Sequence, residues 1–269
     1  MAGVNGTGSG PAAIETGRDR AAIEIAGLTL AFGQDENRVT VLDRLDLTVA
    51  VGEFVAVVGP SGVGKSTLLR VIAGLARADA GEVRVAARAD GGPPVAMVFQ
   101  DARLLPWRRV IDNVAFGLER LRLPAAERRR RAAAALDLVG LSTLAARWPR
   151  ELSGGQRQRV ALARALAVEP DILLMDEPFS ALDAVTREGL QAELIRIRAA
   201  TGKTVVFVTH DIEEATFLAD RVVVLAGSPG RISVERRIDE PHPRVRRSRD
   251  RAATNDALRS DLVSDGEAI

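Results

Sequence analysis

The chain has 269 residues, 46% of them hydrophobic and 27% charged, a balance that belongs to a folded protein with a sizeable core. Its 37 Lys and Arg nearly cancel 36 Asp and Glu, leaving a net charge of +1, so no bulk electrostatic case for a nucleic-acid partner exists. Cysteine is absent, which excludes disulfides, thiolate zinc sites and iron–sulfur clusters.

Residues 1–21 are rich in Gly, Ala, Ser and Pro and lack an apolar core. They are expected to form a disordered leader and not a secretion signal. Alternation follows. Ile23, Ile25, Leu28 and Leu30, then Leu45, Leu47 and Val49, then Val83 and Val85, predict half-buried antiparallel strands. The later pattern differs: continuous apolar runs at 54–58, 95–99, 172–176, 205–209 and 222–226, each leading to a loop and a helical stretch. Such runs predict parallel strands buried on both faces and joined by helices. Between Gln100 and Leu152 strand signals stop, and a helix is expected from Pro124 to a stop at Gly140. Residues 101–152 therefore read as an inserted helical subdomain. Arg128 to Arg131 are expected on a solvated helix face.

After about Ile238 the chain turns polar and Arg-rich, so residues 239–269 read as a tail, with RVRRSRDR (244–251) mobile and solvated rather than bound to anionic lipid. No apolar run reaches the roughly 18–20 residues of a membrane helix. A cytoplasmic location is expected, with any membrane association made through a partner.

Chemistry enters at GPSGVGKST, residues 59–67, which follows the strand at 54–58 and opens a helix. Gly59, Gly62 and Gly64 let backbone N–H groups turn toward phosphates, and Lys65 neutralises β/γ oxygens among them. Ser66 offers a hydroxyl to Mg²⁺, and the helix dipole adds to the cradle formed with Pro60, Ser61, Val63 and Thr67. The only lysines are Lys65 and Lys203 in a chain that otherwise uses Arg. A compact ammonium suits the space among phosphate oxygens better than a guanidinium.

LSGGQ at 152–156 precedes a helical run: Ser153 can cap it, and Gly154, Gly155 and Gln156 leave its first amides open to an anion. ILLMDE at 172–177 ends a buried strand with Asp176 and Glu177 at its carboxyl edge, where α/β sheets place their ligands. Asp176 is expected to hold the metal ion and Glu177 to polarise the attacking water. His210 ends the next strand in the same layout, a position from which it can bond the γ-phosphate and orient that water. Phe32, at the end of an early strand, is the candidate for stacking on the adenine.

This order of motifs resembles the ATP-binding subunits of ABC transporters, over roughly residues 22–235, and residues 22–238 read as the ATPase domain. The resemblance implies an α/β fold: a P-loop ATPase core on a mostly parallel sheet, an N-terminal antiparallel β-subdomain and the inserted helical subdomain. It implies ATP and Mg²⁺ as cofactors, and a head-to-tail dimer in which Ser153, Gly154, Gly155 and Gln156 meet the γ-phosphate held by the other copy. By the same resemblance Gln100 senses metal and water, and Asp183 in SALD communicates across the dimer. FQDARLLPW, residues 99–107, is similar to the aliphatic-sulfonate importer ATPases, and LLPW is shared with nitrate and taurine relatives. SPGRI (228–232) and PHPR (241–244) resemble the same wider group. Implied partners are integral-membrane permease subunits docked beside residues 104–107 and, indirectly, a substrate-binding protein.

Two other classes compete. A soluble ABC ATPase acting on DNA or ribosomes would show a long coiled-coil insertion, a zinc motif or tandem ATPase halves, and none is visible. A P-loop kinase would have no use for LSGGQ.

Overall fold

The computed structural model describes residues 20–246 and 248–264; the expected leader lies, but for its last two residues, outside them. Two sheets form. β1 (Ala21–Phe32), β2 (Val39–Ala50) and β4 (Ala80–Val85) make an antiparallel sheet in the order β2-β1-β4. Its alternating Ile23, Ile25, Leu28 and Leu30 on β1 and Leu45, Leu47 and Val49 on β2 are buried, as a sheet packed on one face requires.

The larger sheet has the order β5-β6-β7-β3-β8-β9, with β9 spanning Arg231–Arg237. β3 (Phe54–Val58), β5 (Val95–Val98), β6 (Ile172–Asp176), β7 (Thr204–Val208) and β8 (Arg221–Ala226) run parallel. Because side chains alternate along a strand, each apolar run feeds two cores. Phe54, Ala56 and Val58, Leu173 and Met175, and Val205 and Phe207 join the helices on one face. Val55 and Val57, Ile172 and Leu174, and Val206 and Val208 face α1 (Lys65–Ile72) and the antiparallel sheet on the other. The architecture is the expected α/β arrangement.

The segment between β5 and β6 carries α2 (Val110–Phe116), α3 (Ala125–Leu138) and α4 (Gly154–Ala167), which pack on one another. Pro124 stands at the N-cap of α3, where its missing N–H costs nothing. Glu127 bonds Arg130 and Arg131 at 2.7 and 2.8 Å, pairs one turn apart on the outer face. α5 (Ala184–Thr201) leads to β7, and α6 (Ile212–Leu218) to β8.

Two features depart from the sequence reading. β9 (Arg231–Arg237) adds an antiparallel edge strand to β8. Its alternation is polar and half-buried, so no apolar run announces it. The second departure corrects the tail. Residues 249–264 form α7 (Arg249–Ser264), packed on α6, with Leu258 fully buried. Arg244 and Arg251, expected in solvent, are 7% and 4% exposed. Arg244 donates to the carbonyls of Glu240 (2.7 Å), Thr216 (2.9 Å) and Ala219 (2.6 Å), closing the end of α6. Carbonyls that a helix end leaves without partners make good seats for a guanidinium, so a charged residue is buried without being unpaired.

Candidate functional site

The carboxyl ends of β3, β6 and β7 are neighbours in the sheet, and each delivers one part of the site. β3 runs into the loop of residues 59–64 and then α1. Gly64 has φ 108°, and a Cβ there would lie 2.6 Å from Leu42 Cδ2, so only glycine lets β2 and the loop pack this closely. Lys65 is 5% exposed, and its Nζ donates to the Gly59 and Pro60 carbonyls at 2.8 Å each. Burial lowers its pKa; Glu177 and Asp176 oppose that shift by favouring the charged ammonium. Pro60, Ser61 and Gly62 are exposed at the mouth of the loop, while Val63 and Thr67 are buried beneath it.

Ser66 Oγ donates to Asp176 Oδ1 at 2.7 Å, joining the start of α1 to the end of β6. Gln100, exposed at the end of β5, lines with Ser66, Asp176, Gly154 and Gln158 a cleft of about 480 Å³ between the sheet and the helical segment. Its donors are a hydroxyl, a carboxylate and an amide oxygen. Such hard, sparse oxygen donors suit Mg²⁺, which keeps waters and takes phosphate oxygens, better than an ion caged wholly by protein.

Glu177 adopts φ 43°, a left-handed conformation uncommon for a residue with Cβ. Its N–H donates to the Val208 carbonyl at 3.0 Å, and its carbonyl accepts from Ser180 Oγ at 3.0 Å, so the conformation is held from both sides. Glu177 Oε2 lies 3.1 Å from His210 Nδ1. The histidine is 64% exposed at the side chain, and the carboxylate is half-buried.

α4 begins in a capping box: Ser153 Oγ accepts from Gln156 N at 3.3 Å, and Ser153 N donates to Gln156 Oε1 at 2.9 Å. Gly155 is pressed on α5, since a Cβ there would come within 2.1 Å of Thr186 Cγ2. Thr186 N in turn donates to Asp183 Oδ1 at 3.0 Å, so the exposed Asp183 caps α5 directly beside the LSGGQ turn. Phe32 is 50% exposed at the end of β1. It stands two residues beyond Leu30, the strand partner of the Leu42 that touches Gly64.

Sequence reasoning passed over Gln158 and Arg164. Gln158, 4% exposed, donates from Nε2 to the Phe99 carbonyl at 2.9 Å and ties α4 to the end of β5, next to Gln100. Arg164 donates to the Ala102 and Arg103 carbonyls at 2.8 and 2.9 Å. A faint signal existed for Gln158, which sits at buried spacing on a helix of small residues, where a long polar side chain needs a reason.

The family model described as "ABC transporter" matches residues 42–180. An aliphatic sulfonates import ATP-binding protein of Mycobacterium sp. (strain MCS) is 52% identical over 230 residues, covering 84% of this chain and 87% of that one. A taurine import ATP-binding protein of Pseudomonas aeruginosa (strain UCBPP-PA14) is 50% identical over 207 residues, 76% of this chain and 79% of that one. Among solved structures, a dimeric post-hydrolysis state of the ATP-binding cassette MJ0796 bound to ADP and Pi matches with a TM-score of 0.71 and 34% identity. It covers 81% of this chain and 100% of its own.

Proposed function

This chain belongs to the ABC transporter family, and from that premise we propose that it is the ATP-hydrolysing subunit powering import of aliphatic sulfonates through a separate membrane permease. The observation that carries the hydrolytic reading is the meeting of Lys65, the Ser66–Asp176 pair and the Glu177–His210 pair at three adjacent strand ends, and the sulfonate-import relative supports the substrate. Triphosphate chemistry asks little covalent help of a protein; it needs positioned charge and a positioned water.

In the proposed mechanism the loop amides and Lys65 hold the phosphates, and Phe32 stacks on the base. Ser66, Asp176 and Gln100 would hold Mg²⁺, which when bound would neutralise charge on the phosphate oxygens. Glu177 takes a proton from water as its oxygen bonds to the γ-phosphorus and the bond to ADP breaks. His210, bonded to Glu177, orients that carboxylate and faces the γ-phosphate. Ser153, Gly154, Gly155 and Gln156 serve the nucleotide of a second copy, with Asp183 beside them. The dimeric state of the MJ0796 cassette supports this arrangement.

Among the described residues no helix is long and apolar enough to cross a membrane. Contact with the membrane face is assigned to permease subunits, a reading the import relatives support. Trp107 is 70% exposed beside the half-buried Leu104 and Leu105, close after Gln100. Trp107→Ala is expected to leave ATP binding intact and to weaken permease association by at least about 2 kcal/mol, the scale of an aromatic hot spot. Co-purification with the permease and uptake assays check it; undiminished association removes Trp107 from the interface.

The substrate is tested by growth. A deletion strain without redundant importers is expected to fail on alkanesulfonates as sole sulfur source and to grow on sulfate. Normal growth on several alkanesulfonates overturns the sulfonate assignment. The taurine relatives support taurine as a second reading, and failure on taurine alone would select it.

A further inference from the structure

A polar network, buried at Thr209, Glu214 and Gln191 and exposed at Arg246, links the C-terminal arm, residues 239–264, to the loop that carries His210. Thr209, immediately before the histidine, is 2% exposed. Its hydroxyl donates to Glu214 Oε2 at 2.8 Å and accepts from Asp211 N at 3.0 Å. The other oxygen of Glu214 accepts from Gln191 Nε2 at 3.1 Å. Glu214 and Gln191 are themselves 8% and 1% exposed. Gln191 Oε1 then accepts from Arg246 Nη1 at 2.8 Å, and Arg246 also donates to the Glu188 carbonyl at 3.2 Å. Four elements are thus joined: the β7–α6 loop, α6, α5 and the arm.

The arm is seated firmly enough to act on that chain. The Arg246 guanidinium lies 4.4 Å from the centre of the Phe217 ring, and Arg251 covers the same ring at 5.5 Å. Thr216 Oγ1 donates to Asn255 Oδ1 of α7 at 2.7 Å. Arg244 holds the end of α6 through its carbonyls. Of the charged groups around Glu214, Arg187 Nε approaches to 3.6 Å without a hydrogen bond, and Arg187 Nη1 lies 3.9 Å from Asp211 Oδ2. Burial raises the pKa of Glu214, and the Thr209 hydroxyl bond opposes that shift. A carboxylate this enclosed needs each of its partners, because a buried acceptor left unpaired is costly.

We infer that Arg246, Gln191, Glu214 and Thr209 are positioning residues for His210, through which the C-terminal arm sets the rate of hydrolysis. The inference rests on the reading of His210 as part of the hydrolytic site. Loss of Arg246 frees one end of Gln191, loosens Glu214 and lets the Thr209–Asp211 turn shift, which moves the imidazole from Glu177. Nucleotide binding at Lys65 and Ser66 lies outside the chain and should be untouched.

The test uses the full chain. Arg246→Ala is expected to lower kcat about three- to tenfold with the ATP KM within about twofold, the range of a positioning network. Thr209→Val is expected to lose at least about tenfold, and Thr209→Ser, which restores the hydroxyl, to stay within about twofold of wild type. In a His210→Ala background, Arg246→Ala should bring no further loss. The chain has two histidines, so imidazole NMR with His210→Ala assigns the His210 signal, and Arg246→Ala should move it. An unmoved His210 signal together with unchanged kcat overturns the inference. So does an equal fractional loss in the His210→Ala background, since the arm would then act elsewhere. If His210→Ala itself turns over normally, the hydrolytic reading of His210 fails, while the NMR shift still decides whether the arm positions it.

Discussion

Glu177→Gln is expected to bind Mg-ATP nearly as well as wild type and to lose roughly 10²–10⁴ of its turnover, the contribution of a positioned general base. That loss corresponds to about 3–5 kcal/mol of activation barrier. The substitution keeps the shape of the side chain and removes its negative charge and its basicity. The backbone at φ 43° and its bonds to Val208 and Ser180 do not depend on the carboxylate. Under the proposed mechanism Lys65, Ser66 and Asp176 would still hold the phosphates and the metal. A dimer closed on unhydrolysed ATP should therefore persist longer. Steady-state hydrolysis and equilibrium nucleotide binding on the purified complex decide the matter, and near-normal turnover removes Glu177 from the base role.

The second large effect concerns the pairing of two copies. Lys65→Ala subunits and Ser153→Arg subunits should each fail to form a competent site alone. Mixed, they are expected to recover one. A head-to-tail pair places the two lesions together in one site and leaves the other with an unaltered loop and an unaltered LSGGQ turn. The structure explains why Ser153 is a suitable position: it is exposed at the N-cap of α4, with Gly154 exposed beside it. An arginine there costs about 1 kcal/mol of capping and blocks the face offered to a partner. One tightly held ATP per mixed dimer is the expected stoichiometry. Two equally damaged sites would show that each copy completes its own.

Much of the fold was legible in residue order because the signals are local. Alternation of Ile23, Ile25, Leu28 and Leu30 reports a one-sided sheet, and unbroken runs such as FVAVV report strands covered on both faces. The loop at 59–67, LSGGQ and the Asp176–Glu177 pair are contiguous strings whose spacing states their chemistry. His210 was legible through its position after an apolar run, in the same layout as Asp176. Its 3.1 Å approach to Glu177 was not, because strand order decides which loops share an edge.

What tertiary structure alone decided lies among the polar residues. Nothing in RVRRSRDR says that its first and last arginines are buried, that Phe217 lies beneath two guanidinium groups, or that α7 packs on α6. Gln158 reaches a carbonyl on β5, and Glu214 and Gln191 meet across two helices. Apolar burial follows a period that neighbouring residues repeat, so sequence carries it. A charged or amide group is stable in the interior only where the fold brings it a distant partner, and that partner is fixed by packing.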